Sequence, residues 1–353
     1  MKKRHVLVLF AALVLGGGWL GAAPARAASP AFGTQFHCTW GAYTDQQRVE
    51  VIDRLKWAGV KWVRIDMGWD AFEYERYKIS GWHVDLADRC VDLARSRGIN
   101  VLGVLHRTPG WANGNRGPTV PPYDSGDYGW IAGWVAQHFR GRVSAWQMWN
   151  EPSNPDAGSW DGDVNQYVSL IRAAYPALKS GDPNALVLFA NGAYQDDRFL
   201  RRAYEVGAKG YFDAVATHPY QGQGDLPPET PDNGTIWRIS HLPAVRQVMV
   251  DWGDAGKPIW FTEFGWTVHD NWPGIDYWQL GVTGEQQADY LVRMIRYTRD
   301  NFPYVPVMIW YKERAWTGEE AHWAGYALLD SELRPRVAYW WLQWYYTYSG
   351  QAG

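Results

Sequence analysis

A formal charge of −3 over 353 residues argues against a nucleic acid or an anionic membrane as partner, because basic patches hold both. The chain is 46% hydrophobic and carries only two cysteines. Beyond its first residues, no stretch approaches the apolar length that a membrane span needs.

In chain order, the first signal is a leader. Lys2, Lys3 and Arg4 precede the apolar run Val6 to Leu20, and Ala25-Arg26-Ala27 supplies a small-x-small cleavage pattern, so residues 1–27 read as a secretion signal cut after Ala27. Without them, 30 basic residues face 37 acidic ones, a charge of about −7. The mature chain, residues 28–353, is expected to be exported, monomeric and a single domain.

Strand-like and helix-like runs then alternate. Gly33 to His37 is the first strand. Thr44 and Gln47 open a helix as a capping box, with Val49, Ile52 and Leu55 at helical spacing. Lys61 to Asp66 is the second strand, followed by a helix from about Val84 to Arg97. Asn100 to Leu105 is the third, with a helix from Tyr128 to Phe139. Val143 to Trp149 is the fourth, a short apolar run that reads as buried and is stopped by Pro152. A helix from Val164 to Lys179 leads to the fifth strand, Leu186 to Ala190, and Arg198 to Val206 follow as helix. Asp213 to Thr217 is the sixth, with a helix region from Thr235 to Trp252. Pro258 to Glu263 is the seventh, and Thr283 with Gln286 caps the next helix. Val305 to Trp310 is the eighth, and Arg336 to Tyr346 closes the chain as a helix. Eight such units with continuously apolar strands predict parallel strands buried on both faces, closed as an α/β (β/α)₈ TIM barrel. An open doubly wound sheet is disfavoured, since no Gly-x-Gly-x-x-Gly turn follows the first strand.

In a barrel all strand C-termini face one mouth. Glu151 and Glu263 stand at two such ends, as the acid and nucleophile of a glycosidase would. Arg64, His106, Asn150, His218, Tyr220 and Trp310 fall at others, as candidate substrate contacts. The 24 tryptophans mostly imply a well-filled core. Trp111, Trp160, Trp266, Trp272, Trp316 and Trp323 nevertheless fall in predicted loops at the strand ends, where flat rings suit stacking against sugars. Asp66, Asp70 and Glu313 are competing carboxylates: Asp66 is expected to orient loop groups, and Glu313 to touch substrate or pair with a neighbour. With only His37 near the first strand's end, no His-x-His pair is present, and no Gly-x-Ser-x-Gly elbow or Walker loop occurs. Neither metal nor cofactor is expected. Export permits a Cys38–Cys90 disulfide, but one cysteine follows a strand and the other lies in a helix, so the pairing is open.

The Asn150-Glu151-Pro152 and Thr262-Glu263-Phe264-Gly265 motifs, with Thr108-Pro-Gly-Trp111-Ala112, resemble those of glycoside hydrolase clan A, nearest to family 39 or family 5-like members. The resemblance spans nearly the whole mature chain. It implies retaining hydrolysis of a β-linked oligo- or polysaccharide, with Glu151 as acid/base and Glu263 as nucleophile. Asn150 would bind the sugar 2-hydroxyl, and Trp310 would lie beneath the reacting sugar. A departure from family 39 β-xylosidases is the lack of sequence for their additional β-sandwich, which implies a barrel alone. The alternatives are a non-catalytic carbohydrate-binding barrel, which would have no need of both glutamates, and a transglycosylase.

Overall fold

The computed structural model describes residues 28–153 and 159–349, so the expected leader lies outside the described residues. Eight strands form the barrel: β1 (Ala31–Gln35), β2 (Trp62–Gly68), β3 (Asn100–His106), β4 (Ala145–Met148), β5 (Leu186–Ala193), β6 (Ala214–His218), β7 (Ile259–Phe264) and β8 (Val307–Trp310). They pair in sequence order, all parallel, and β1 closes on β8 through Ala31↔Val307 to Thr34↔Trp310. The principal outer helices are α1 (Asp45–Trp57), α2 (Gly81–Ser96), α3 (Ser125–His138), α4 (Val164–Gly181), α5 (Asp197–Glu205), α6 (Leu242–Asp251), α7 (Gly284–Asn301) and α8 (Val337–Thr347). The capping boxes foreseen at Thr44 and Thr283 are formed, with Gln47 and Gln286 returning the second bond.

Strand parity decides what enters the barrel. Trp62, Leu102, Leu188, Trp260 and Ile309 pack inside against the small residues Ala145, Ala214 and Ala216. Trp62 and Trp260 meet edge to face at 4.9 Å, a geometry worth about 1 kcal/mol beyond the area buried. The alternate residues, such as Val63, Ile65, Trp146 and Phe261, face the helices and form the larger core. With the interior plugged by tryptophan below, polar side chains are left to the upper layer.

One expectation is revised, one element is added and one open question is answered. The helix foreseen from Thr235 begins only at Leu242, because Pro243 occupies its first turn and the residues before it line the mouth. A small hairpin, Glu73–Glu75 with Lys78–Ile79, interrupts the segment between β2 and α2. The open cysteine question is answered by a Cys38–Cys90 disulfide, which ties the segment after β1 to α2 with a Cα–Cα distance of 5.8 Å.

Candidate active site

The site is assembled from inward positions one layer above the tryptophan plug. Arg64 lies two residues beyond Trp62 on the same face of β2 and is almost fully buried. Such a charge needs partners, and it has three: Glu263 Oε1 at 2.8 Å, Gln35 Oε1 at 2.6 Å and Asn150 Oδ1 at 2.6 Å. One guanidinium therefore fixes the residues that end β1, β4 and β7. Its bond to Asn150 uses the amide oxygen, which leaves the amide nitrogen free to donate.

Glu151 and Glu263 reach the mouth through breaks in strand parity. Just past the end of β4, Trp149 and Glu151 have φ of 72° and 43°. This left-handed backbone is uncommon outside glycine and costs about 1 kcal/mol or more per residue. It buries the Trp149 ring against Trp160 at 4.9 Å, where its Nε1 donates to Ser159 O. On β7, the register against β8 shifts between Phe261↔Met308 and Phe264↔Trp310. Thr262 and Glu263 are the residues inside this irregularity.

The two carboxylates face each other across His218. Its Nδ1 is 2.7 Å from Glu151 Oε1 and 3.8 Å from Glu263 Oε2, and its Nε2 bonds Thr262 Oγ1 at 3.1 Å. One oxygen of each glutamate and a His218 nitrogen all lie within 4.8 Å of one another. Tyr220 donates to Glu263 Oε2 at 3.2 Å. Burial, reinforced by Glu263 and nearby tyrosines, pushes its hydroxyl well above the usual tyrosine range, so it stays a donor. His106 sits at the end of β3; burial lowers its pKa against the opposing pull of Asp66, which favours the neutral ring. Tyr194 stands beside Glu151, its hydroxyl pushed up to about 12 by burial and then by that carboxylate.

Of the residues singled out from sequence besides the glutamates, Arg64, His106, Asn150 and Tyr220 line one cleft of about 1270 Å³ with Glu151 and Glu263, and His218 is buried behind the two carboxylates, bonded to Glu151. The placement of Trp310 is corrected. Val307 and Ile309 point inward, so Trp310 points outward, fully buried, with Nε1 donating to Tyr326 O. Tyr311, the next residue, lines the cleft instead. Trp266 and Trp111 also miss it. Trp266 is buried and donates to Leu226 O, and Trp111 donates to Glu73 O beneath the Arg76 guanidinium. Trp160 is core as well, whereas Trp323 reaches the cleft.

Trp278, at the end of the aromatic stretch from Trp266 that the sequence pointed to, lines the mouth, as do Trp40 and Trp237, which sequence reasoning missed; each of the three is more than 40% exposed. Trp40 stacks on Trp316 at 6.0 Å and 12°, and the Arg314 guanidinium lies over the Trp316 ring at 4.5 Å. Trp237 meets Tyr194 at 4.3 Å. Glu313 is fully buried and paired with His37 at 2.9 Å, so it takes the second of its two expected roles.

A family model, cellulase (glycosyl hydrolase family 5), matches residues 25–312. The chain belongs to glycosyl hydrolase family 5. This family is part of clan A, and the barrel is that of a glycoside hydrolase. A curated protein of Arthroderma benhamiae described as a probable glucan 1,3-beta-glucosidase is 29% identical over 199 residues, which cover 52% of this chain and 44% of that protein. The chain thus spans less than half of that relative's length. Among solved structures, a family 39 glycoside hydrolase from Bacteroides cellulosilyticus superposes with TM-score 0.72 at 20% identity, over 89% of this chain and 63% of the other. A GH5_18 protein from Streptomyces cattleya, solved in complex with GlcNAc, gives 0.67 at 17%, over 92% and 82%. The barrel is therefore shared across families 5 and 39.

Proposed function

We propose that this family 5 chain is an exported, retaining hydrolase of a β-linked oligo- or polysaccharide, with Glu263 as nucleophile and Glu151 as acid/base. The observation that carries this reading is the short gap between the two carboxylates. One oxygen of each glutamate lies within 4.8 Å of an oxygen of the other, which supports the ~5–5.5 Å carboxyl separation of retaining enzymes over the ~6.5–9.5 Å of inverting ones.

In the first step Glu263 attacks the anomeric carbon while Glu151 gives its proton to the leaving oxygen. In the second, Glu151 takes a proton from water, which displaces Glu263. Arg64 and Tyr220 hold the Glu263 carboxylate for attack. Asn150 is oriented by Arg64 to donate to the sugar 2-hydroxyl, a contact that strengthens toward the transition state. His218 touches Glu151 and keeps it aimed across the gap. Trp40, Trp237, Trp278 and Trp323 around the cleft favour an extended glycan over a small aryl glycoside. The Cys38–Cys90 bond supports export, since such bonds persist in oxidising compartments. The name of the Arthroderma relative makes 1,3-β-glucan the first substrate to try.

The test is product release by the mature protein from a panel of β-glycans, with Glu263→Ala as control. The variant should lose turnover by at least ~10³-fold, and added azide should restore it with an α-glycosyl azide as product. A β-azide would overturn the assignment of nucleophile. Glycan binding without cleavage by the unmodified protein would replace the hydrolase with a binding protein.

A further inference from the structure

The proposed mechanism leaves two acidic residues of the cleft, Asp66 and Asp276, without a task. Asp66 follows Arg64 by two positions on β2, so it shares the inward face and stands one step, about 6.6 Å, nearer the mouth. It lines the cleft with Glu263 and Glu151. Its nearest cation is Arg64, whose Nη1 lies 3.7 Å away while the same guanidinium is bonded to Glu263, Gln35 and Asn150 at 2.6–2.8 Å. Arg64 is therefore committed elsewhere, and Gln35 donates toward the Asp66 carboxylate, which leaves further acceptor capacity facing the cleft.

The setting of Asp66 is rigid. Residues Trp62 to Gly68 pair with Asn100 to His106 without interruption, and Thr39 Oγ1 caps the Asp66 carbonyl at 3.0 Å. His106 flanks it from β3. His37 flanks it from the end of β1, with Nδ1 held by the fully buried Glu313 at 2.9 Å and its backbone N–H held by the same carboxylate at 2.9 Å. A carboxylate with acceptor capacity to spare between two imidazoles, one of them locked from behind, is the donor–acceptor pattern that reads neighbouring hydroxyls on a sugar ring. Burial opposes ionisation of Asp66, but Arg64, His106, His37 and a hydrogen bond from Gln35 outweigh it and hold its pKa below the usual aspartate value.

We infer that Asp66, with His37 held by Glu313, forms a sugar-hydroxyl recognition site on the β1–β3 side of the cleft and sets which glycone the protein accepts. The inference rests on the glycoside hydrolase reading above. The ligand is a vicinal pair of hydroxyls on the reacting sugar, at the end of the ring away from the leaving group.

The experiment compares 4-nitrophenyl β-glucoside, β-galactoside, β-mannoside and β-xyloside, which differ at single ring positions, on the unmodified protein, Asp66→Asn and His37→Gln. On the best glycoside kcat/KM should fall roughly 10- to 100-fold in Asp66→Asn, the loss of a hydrogen bond to a charged group. The glycoside altered at the recognised hydroxyl should change little, so discrimination between the two collapses. Equal losses on every glycoside would overturn the inference, since Asp66 would then act only through Arg64. The same sugars are titrated calorimetrically into Glu263→Gln with and without Asp66→Asn. Selective binding that Asp66→Asn abolishes, in a protein that cleaves nothing, would uphold this site while ending the hydrolase reading. Binding that Asp66→Asn leaves unchanged would overturn the site alone.

Discussion

Removal of the Glu313 carboxylate is the perturbation whose size the geometry fixes best. Glu313 is fully buried and accepts three kinds of donor: the His37 backbone N–H at 2.9 Å, His37 Nδ1 at 2.9 Å and the Tyr43 hydroxyl at 2.9 Å. Glu313→Ala strands all three. At about 1–3 kcal/mol per buried unsatisfied group, with partial rearrangement of the Tyr43 rotor, the cost is about 3–5 kcal/mol. Breaking a buried pair by deleting one partner leads to the same range, about 3–5 kcal/mol. Glu313→Gln keeps a carbonyl acceptor and should cost about 1–3 kcal/mol. Guanidinium unfolding followed by tryptophan fluorescence measures both. The pH dependence has a definite sign. Burial disfavours the charged form of Glu313, but His37 and backbone donors win and depress its pKa. A depressed folded value means stability present above the ordinary glutamate range of about 4.3 and lost as pH falls through the lower folded value. The gap between the unmodified protein and Glu313→Gln should therefore hold near neutrality and narrow below about pH 4. A Glu313→Ala variant within about 1 kcal/mol of the parent would refute the reasoning.

Other consequences are as direct. Tyr220→Phe removes one donor to Glu263 while Arg64 remains at 2.8 Å, so kcat should fall about 10-fold, with the melting temperature nearly unchanged; a fall beyond about 1000-fold would make Tyr220 more than a holding group. Replacing both Cys38 and Cys90 by alanine frees a crosslink between positions 52 apart, and unfolding free energy should drop by about 4 kcal/mol on the chain-entropy model. Thermal unfolding with and without reductant checks this, and identical curves would contradict it.

The barrel was legible because its strands are apolar throughout and its helices carry their own start signals, as at Thr44 and Thr283. Arg64, His106, Asn150, His218 and Tyr220 were legible because parallel strands put every C-terminal end at one mouth. Trp310 was misplaced by a single residue, and in a strand one residue is a whole face: Ile309 points in, so Trp310 points out. Sequence offered no sign of the register irregularity at Glu263 or of the positive φ at Glu151, and both depend on packing between distant segments. The tryptophans of the mouth were misjudged similarly. A loop position is readable, but whether a ring turns toward the cleft, like Trp40, or into the core, like Trp160, is decided by partners such as Trp316 and Trp149.

The seam between β1 and β8 has a kinetic consequence. His37 and Glu313 are 276 positions apart, as are the Thr34 hydroxyl and the Trp310 carbonyl that it bonds. Contacts this distant in sequence repay their loop-closure entropy only after the intervening chain has folded. Helical signal can thus return early in refolding, while the cleft is complete only once the first strand has met the last. Regained turnover would then trail regained circular dichroism, making catalysis a clock for the final zipping of the barrel.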